Sequence, residues 1–153
     1  MVFEKSGSAG YLANHMARLF ALGLQDRIRP LGLAPAQFML LIELWREDGL
    51  SQRDLVERLD VEQATIANTL ARMERDGLIT RAPHQGDARM KLIRLTPKAR
   101  RIEAEAIAAA RAQNAAALGD LTQAEREQFL DMMRRVITRM QARGERAERR
   151  PSG

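Results

Sequence analysis

The chain has 153 residues, no cysteine and a formal net charge of +5, with 45% hydrophobic, 29% charged and only 4% aromatic residues. These values fit one globular domain with its own core, and they exclude disulfides, thiolate metal sites and cysteine redox sensing. Uncharged runs such as LAPAQFMLLI (33–42) fall short of the ~20 apolar residues of a membrane span, and the N-terminus lacks a basic-then-apolar leader, so a cytoplasmic protein is expected.

Residues 1–8 are read as a loose segment. Leu12, Met16, Leu19 and Phe20 then share one side of a first helix over about 9–28, which Pro30 and Gly32 end. Pro35 suits the first turn of a second, buried helix that runs to about Arg46. In EDGLS (47–51), Gly49 fits a left-handed C-cap. Ser51 caps a short helix from Gln52 to Leu59, and Asp54 favours its positive end. Asp60 and Val61 make a tight break before a fourth helix, which stops at Gly77 in ERDGLI (74–79).

Beyond Gly77 the period changes from that of a helix to alternation. Residues 79–83 and 89–95 predict a two-stranded antiparallel hairpin around HQGDA (84–88). Thr96 and Pro97 restart a long Ala-rich helix to about Leu118, interrupted by Gly119 and Asp120. Thr122 and Glu125 form a T-x-x-E capping box. The last helix runs to about Gln141 with Phe129, Met133, Val136 or Ile137, and Met140 on one stripe. The basic tail, 142–153, has no large apolar side chain and is expected to be disordered.

The fourth helix carries the functional signal. Ile66, Leu70 and Met73 make its apolar stripe, while Ala64, Asn68 and Ala71 lie opposite, flanked by Thr65 and Arg72. Solvated faces usually interleave Glu and Lys; this one is small, neutral and tipped with hydrogen-bonding groups. The segment 77–101 holds seven bases against the single acid Asp87, an asymmetry that suits a polyanionic partner. A short helix, a tight turn, a second helix and a basic hairpin are the order of a helix-turn-helix with a wing. Such a helix enters a major groove about 12 Å wide only if its leading face is uncrowded. The candidate DNA-contacting residues are Thr65, Asn68, Thr69, Arg72, Arg75, Arg89, Lys91, Ser51, Gln63 and Ala64. Asn pairs well with adenine and Arg with guanine or phosphate. The plainer alternatives are a solvated Asn68, a Thr65 bonded to backbone, and a basic surface kept for solubility.

The run LSQRDLVERLDVEQATIANTLARMERDGLITRAPHQGDARMKLIRLTPKAR resembles the winged helix-turn-helix of the multiple-antibiotic-resistance regulator (MarR) family, including the acid-x-Arg of the wing at Asp87 and Arg89 followed by LIRLT. The preceding LGLAPAQFMLLIEL resembles that family's second helix. The likeness covers roughly residues 10–141. It implies a mainly α fold: a winged lobe over 34–96 with a short antiparallel β hairpin, and dimerisation helices over 10–33 and 97–141. It further implies a homodimer on a pseudo-palindromic operator in double-stranded DNA, acting as a repressor. Release by a small aromatic or phenolic effector is also a family trait; Tyr11, His15, Phe38 and Trp45 are the candidates to line its pocket, or else belong to the core. Asp87 and Arg89 fit two roles, a pair that shapes the wing or an arginine that inserts into the minor groove. Two departures stand out: Ala34 replaces the usual hydroxyl cap before Pro35, and Ala99 replaces a usual Gly. Without cysteine, the family's peroxide-sensing thiol mechanism is excluded.

No cofactor or metal is expected, since His15 and His84 have no metal-ligand spacing. Neither a glycine-rich phosphate loop nor a nucleophile motif supports an enzyme. The rival of another class is a helical protein–protein adaptor that uses the winged lobe without specific DNA binding. A membrane-surface protein fits less well, because the basic segment lacks a bulky apolar face.

Overall fold

The computed structural model describes residues 1–148 and divides into two compact units, Met1–Gln113 and the chain from Asn114 onward. In the first unit a single 3-10 turn, Lys5–Gly7, precedes helix α1 (Ala9–Ile28), whose N-cap Ser8 accepts the Tyr11 N–H. The segment expected to be loose therefore carries one ordered turn. Helix α2 (Pro35–Arg46) starts at the predicted proline, and its cap position, Ala34, offers no side-chain acceptor. Gln37 compensates from inside the helix: its Oε1 accepts the Ala34 N–H at 3.1 Å, so one of the orphan donors at this end is satisfied.

Strand β1 (Leu50–Ser51), helix α3 (Gln52–Leu59), helix α4 (Gln63–Arg75), strands β2 (Ile79–Pro83) and β3 (Lys91–Leu95) and helix α5 (Pro97–Arg101) complete the lobe. The expected two-stranded hairpin is thus a three-stranded antiparallel sheet in the order β1-β3-β2. Ile79 pairs with Leu95 and Pro83 with Lys91, while Leu50 opposite Ile93 adds the third strand. Gly49 is left-handed (φ 83°), but it shapes the turn into β1 rather than capping α2, which ends on an extended Glu47. The long Ala-rich helix is broken once, at Ile102 (φ −90°, ψ −5°), between α5 and helix α6 (Glu103–Ala117).

Leu41 and Leu44 of α2, Leu55 of α3, Leu70 and Met73 of α4, and Ile93 of β3 are at most 1% exposed and meet in one core. Each such side chain contributes roughly 1.5–3 kcal/mol by leaving water. An eight-residue helix such as α3 is too short to persist alone, so this shared core holds it in place. Trp45 and Phe38 belong here as well. Phe38 is 3% exposed and meets Trp45 edge-on at 6.0 Å, and the Trp45 indole N–H donates to the Ala99 carbonyl at 3.1 Å.

The second unit holds a turn at Leu118–Leu121 and helix α7 (Gln123–Glu148). The predicted capping box is present: the Thr122 N–H donates to Glu125 Oε1 at 2.9 Å, and the Glu125 N–H to Thr122 Oγ1 at 3.2 Å. The first of these bonds holds the Glu125 carboxyl below its ordinary range. The stretch expected to be a disordered tail is helical through Glu148; the rest of it, 149–153, lies outside the described residues. Its Ala, Arg and Glu are strong helix formers and extend the helix past Gly144.

Candidate nucleic-acid interface

The lobe aims α4 outward by fixing its two ends. At the start, Ser51 and Asp54 cap α3 reciprocally: Ser51 Oγ accepts the Asp54 N–H at 3.1 Å, and Asp54 Oδ2 accepts the Ser51 N–H at 2.9 Å. The second of these holds the Asp54 carboxyl below its ordinary range. Asp60, in the left-handed conformation at φ 53°, then turns the chain into α4. Far down, Gly77 (φ 74°) closes α4: the Leu78 N–H reaches the Met73 carbonyl at 2.9 Å and the Gly77 N–H the Glu74 carbonyl at 3.1 Å. This paired closure needs a residue free of Cβ strain at positive φ. Asp76 beside it accepts the Gln37 amide at 2.9 Å, which lowers its carboxyl pKa, and its carbonyl accepts Lys98 Nζ at 2.8 Å. Both α2 and α5 therefore hold the end of α4.

Between those ends the helix splits cleanly. Ile66, Leu70 and Met73 are buried, whereas Gln63, Ala64, Thr65, Asn68, Ala71, Arg72 and Arg75 are exposed. From Ala71 to Thr65 these residues span an arc of about 120° at 100° per residue, with Gln63 and the exposed Glu74 beside it. Among the described residues, the Asn68 amide and the Arg72 guanidinium have no partner within the chain. Arg75 leans on Asp76 at 3.4 Å yet stays 72% exposed.

Two of the sequence-derived candidates do not join this face. Thr69 is only 9% exposed and its hydroxyl donates to the Thr65 carbonyl at 2.9 Å. Ser51 is 5% exposed and spends its hydroxyl on the α3 cap. A side chain committed to a backbone partner inside the lobe is not available to a groove.

The wing adds a second cationic element. Arg89 is 97% exposed, 3.9 Å from Asp87, and Asp87 Oδ1 accepts the Arg89 N–H at 2.9 Å. Of the two roles open to this pair, the short backbone contact builds the loop while the guanidinium stays outside it. Lys91 is exposed with no acid beside it among the described residues. Other bases of this region are consumed internally. Arg81 pairs with Glu74 at 3.3 Å, and Arg100 with Asp48 at 2.6 Å. Asp48 also accepts the Gly49 and Leu95 N–H groups, both at 2.9 Å, tying β1, β3 and α5 together. Sequence reading missed this carboxylate, whose only local cue was the turn it stands in.

The ring residues sort into two pairs rather than one pocket. Phe38 is buried in the core, and Trp45 packs against it half-buried. Tyr11 and His15 are exposed on α1, edge-on at 6.3 Å, with Lys5 Nζ 5.7 Å from the Tyr11 ring. Among the described residues, no three His, Asp or Glu side chains gather to hold a metal ion, and no helix is long and apolar enough to cross a membrane.

A three-stranded sheet at the edge of a helix-turn-helix defines a winged helix-turn-helix protein, with α4 in the recognition position. A sequence profile of the MarR family matches residues 31–90. The transcriptional regulator HosA of Escherichia coli is 30% identical over 105 residues, which span 69% of this chain and 78% of that protein. Among solved structures, a probable transcriptional regulator from Pseudomonas aeruginosa superposes with a TM-score of 0.81 at 27% identity, covering 87% of this chain and 99% of the other. Bordetella bronchiseptica BpsR, whose DNA binding is regulated by 6-hydroxynicotinic acid, superposes at 0.81 with 25% identity over 89% and 97% of the two chains. The chain belongs to the MarR family of transcriptional regulators.

Proposed function

We propose that the chain is a homodimeric, sequence-specific DNA-binding repressor that docks on a pseudo-palindromic operator. The observation that carries this reading is the outer face of α4, uncrowded and with the Asn68 amide and Arg72 guanidinium unpartnered among the described residues. Thr65, Asn68 and Arg72 read base edges or adjacent phosphates, with Gln63 and Ala64 at the leading end permitting close approach. Arg75 clamps a phosphate, Arg89 enters the flanking minor groove, and Lys91 neutralises backbone charge. Dimerisation is supported by the apolar side chains that α1 and α7 each leave in solvent, among them Leu19 (55%), Leu22 (59%), Val136 (58%) and Met140 (67%). Control by a small aromatic acid follows the behaviour of BpsR; in this chain Tyr11 and His15 are the rings left to meet such an effector, and they need further groups to enclose it. Action in the cytoplasm follows from a DNA target.

Gel shifts on duplex DNA across a salt range test the reading against a protein–protein adaptor. Each neutralised phosphate contributes about −0.9 to the log–log slope, so a repressor gives a steep fall and an adaptor no binding to weaken. Light scattering at micromolar concentration is expected to show a dimer; a monomer would remove the two-fold operator from the account.

A further inference from the structure

His84 sits at the end of β2, and the mechanism above leaves it unused. Its Nδ1 accepts two backbone donors, the Gly86 N–H at 2.9 Å and the Asp87 N–H at 3.2 Å. The backbone N–H of His84 donates to the Met90 carbonyl at 3.0 Å, and the Met90 N–H donates to the Asp87 carbonyl at 3.1 Å. The ring lies against the backbone it holds: a Cβ on Gly86 would stand 3.1 Å from His84 Cε1 and 3.3 Å from Nδ1. The His84 ring thus holds the near side of the loop and the His84 backbone the far side, and the same loop positions Arg89 through Asp87 Oδ1 at 2.9 Å.

Only a neutral imidazole with its proton on Nε2 can do this, because imidazolium carries no lone pair on Nδ1. The charged groups around it on the hairpin are the Asp87 carboxylate, the Arg89 guanidinium and the Lys91 ammonium. Asp87 Oδ1 is already engaged by the Arg89 N–H.

We propose that His84 is the positioning residue of the wing, its neutral ring bracing the loop that carries Arg89, so that protonation of Nδ1 frees the loop and weakens docking on DNA. The proposal rests on the DNA-binding reading above. It sets a sign opposite to the ordinary one: a histidine that merely lined a phosphate surface would bind DNA more tightly once charged.

The test compares wild type, His84→Ala, His84→Asn and Gly86→Ala at about pH 8 and about pH 5.5, the range in which imidazole changes charge. The four are compared again in a His15→Gln background, which leaves position 84 the one histidine site of the chain. Affinity for a duplex selected by wild type is measured beside the amide signals of residues 86 and 87 in two-dimensional NMR spectra. His84→Ala is expected to bind about tenfold more weakly at pH 8, the effect of losing one or two hydrogen bonds. Gly86→Ala, whose Cβ crowds the ring so that it must give by a few tenths of an ångström, is expected to weaken binding in the same direction but less. His84→Asn keeps an acceptor at the same place and cannot titrate, so it retains the affinity and loses the pH dependence. In wild type, acidification shifts both amide signals toward their positions in His84→Ala and lowers affinity. An alanine variant that binds as wild type does, or wild-type affinity that rises on acidification with both amides unmoved, overturns the proposal. A wild-type chain that binds no duplex at either pH overturns the DNA reading and the wing's use with it. The amide signals then still tell whether the ring holds the loop.

Discussion

Helices α3 and α4 are neighbours in one lobe and share one core, yet they treat their charges in opposite ways. On α3, Arg53 pairs with Glu57 at 3.1 Å, and Arg58 reaches Glu43 at 3.6 Å and Glu47 at 2.5 Å. On the outer face of α4, Arg72 has no acid at all among the described residues. Sheet and wing repeat the contrast, with Arg81 and Arg100 paired inside the lobe and Lys91 left open. Positive charge by itself therefore does not mark the interface. Cations neutralised at home orient elements; Arg72 and Lys91, left unneutralised, are recruited by a phosphate with nothing to break first, whereas the exposed Arg75 and Arg89 must loosen contacts to Asp76 and Asp87.

Substitutions that separate the two faces of α4 have the largest expected effects. Leu70→Ala removes a fully buried side chain and is expected to cost about 2–5 kcal/mol of stability, read as a lower urea midpoint, with DNA binding lost alongside the fold. Asn68→Ala acts on the other face: about 1–3 kcal/mol of operator affinity should disappear while the urea midpoint and nonspecific binding hold. A fall in stability comparable to that of Leu70→Ala would place Asn68 among the structural residues. Lys91→Ala should weaken operator and random duplex alike and reduce the salt slope by about 0.9. Arg58→Gln, which breaks only home pairs, is expected to lower the melting temperature slightly and leave the salt slope unchanged; a changed slope would erase the distinction between paired and open cations.

Much of the lobe was legible in the sequence because its punctuation is chemical. Pro35 and Gly77 announce a start and a stop through the backbone geometry each one permits, and Ser51 and Asp54 announce a cap through complementary donors and acceptors. Strand β1 was not legible: two residues carry no alternation, and its existence depends on Leu50 meeting Ile93 across more than forty positions. Thr69 lies at the edge of the wheel, where the approach of neighbouring elements decides burial and its hydroxyl settles on Thr65. Ser51 was read correctly as a cap, and that same bond removes it from the DNA face. Phe38 and Trp45 show the limit of residue type, since an aromatic ring suits a core and a pocket equally and only packing tells them apart. His84 was visible as a histidine in a turn; the two N–H groups converging on its Nδ1 depend on loop geometry that spacing does not encode.

The central claim is that the free face of α4 reads duplex sequence. Selection from a random duplex pool, run in parallel with wild type and Asn68→Ala, tests it most directly. Wild type is expected to enrich a two-fold related sequence whose half-sites lie about one turn, ~34 Å, apart, and Asn68→Ala to lose preference at matching positions in both halves. Identical enriched sequences from the two proteins, or none from wild type, would contradict it.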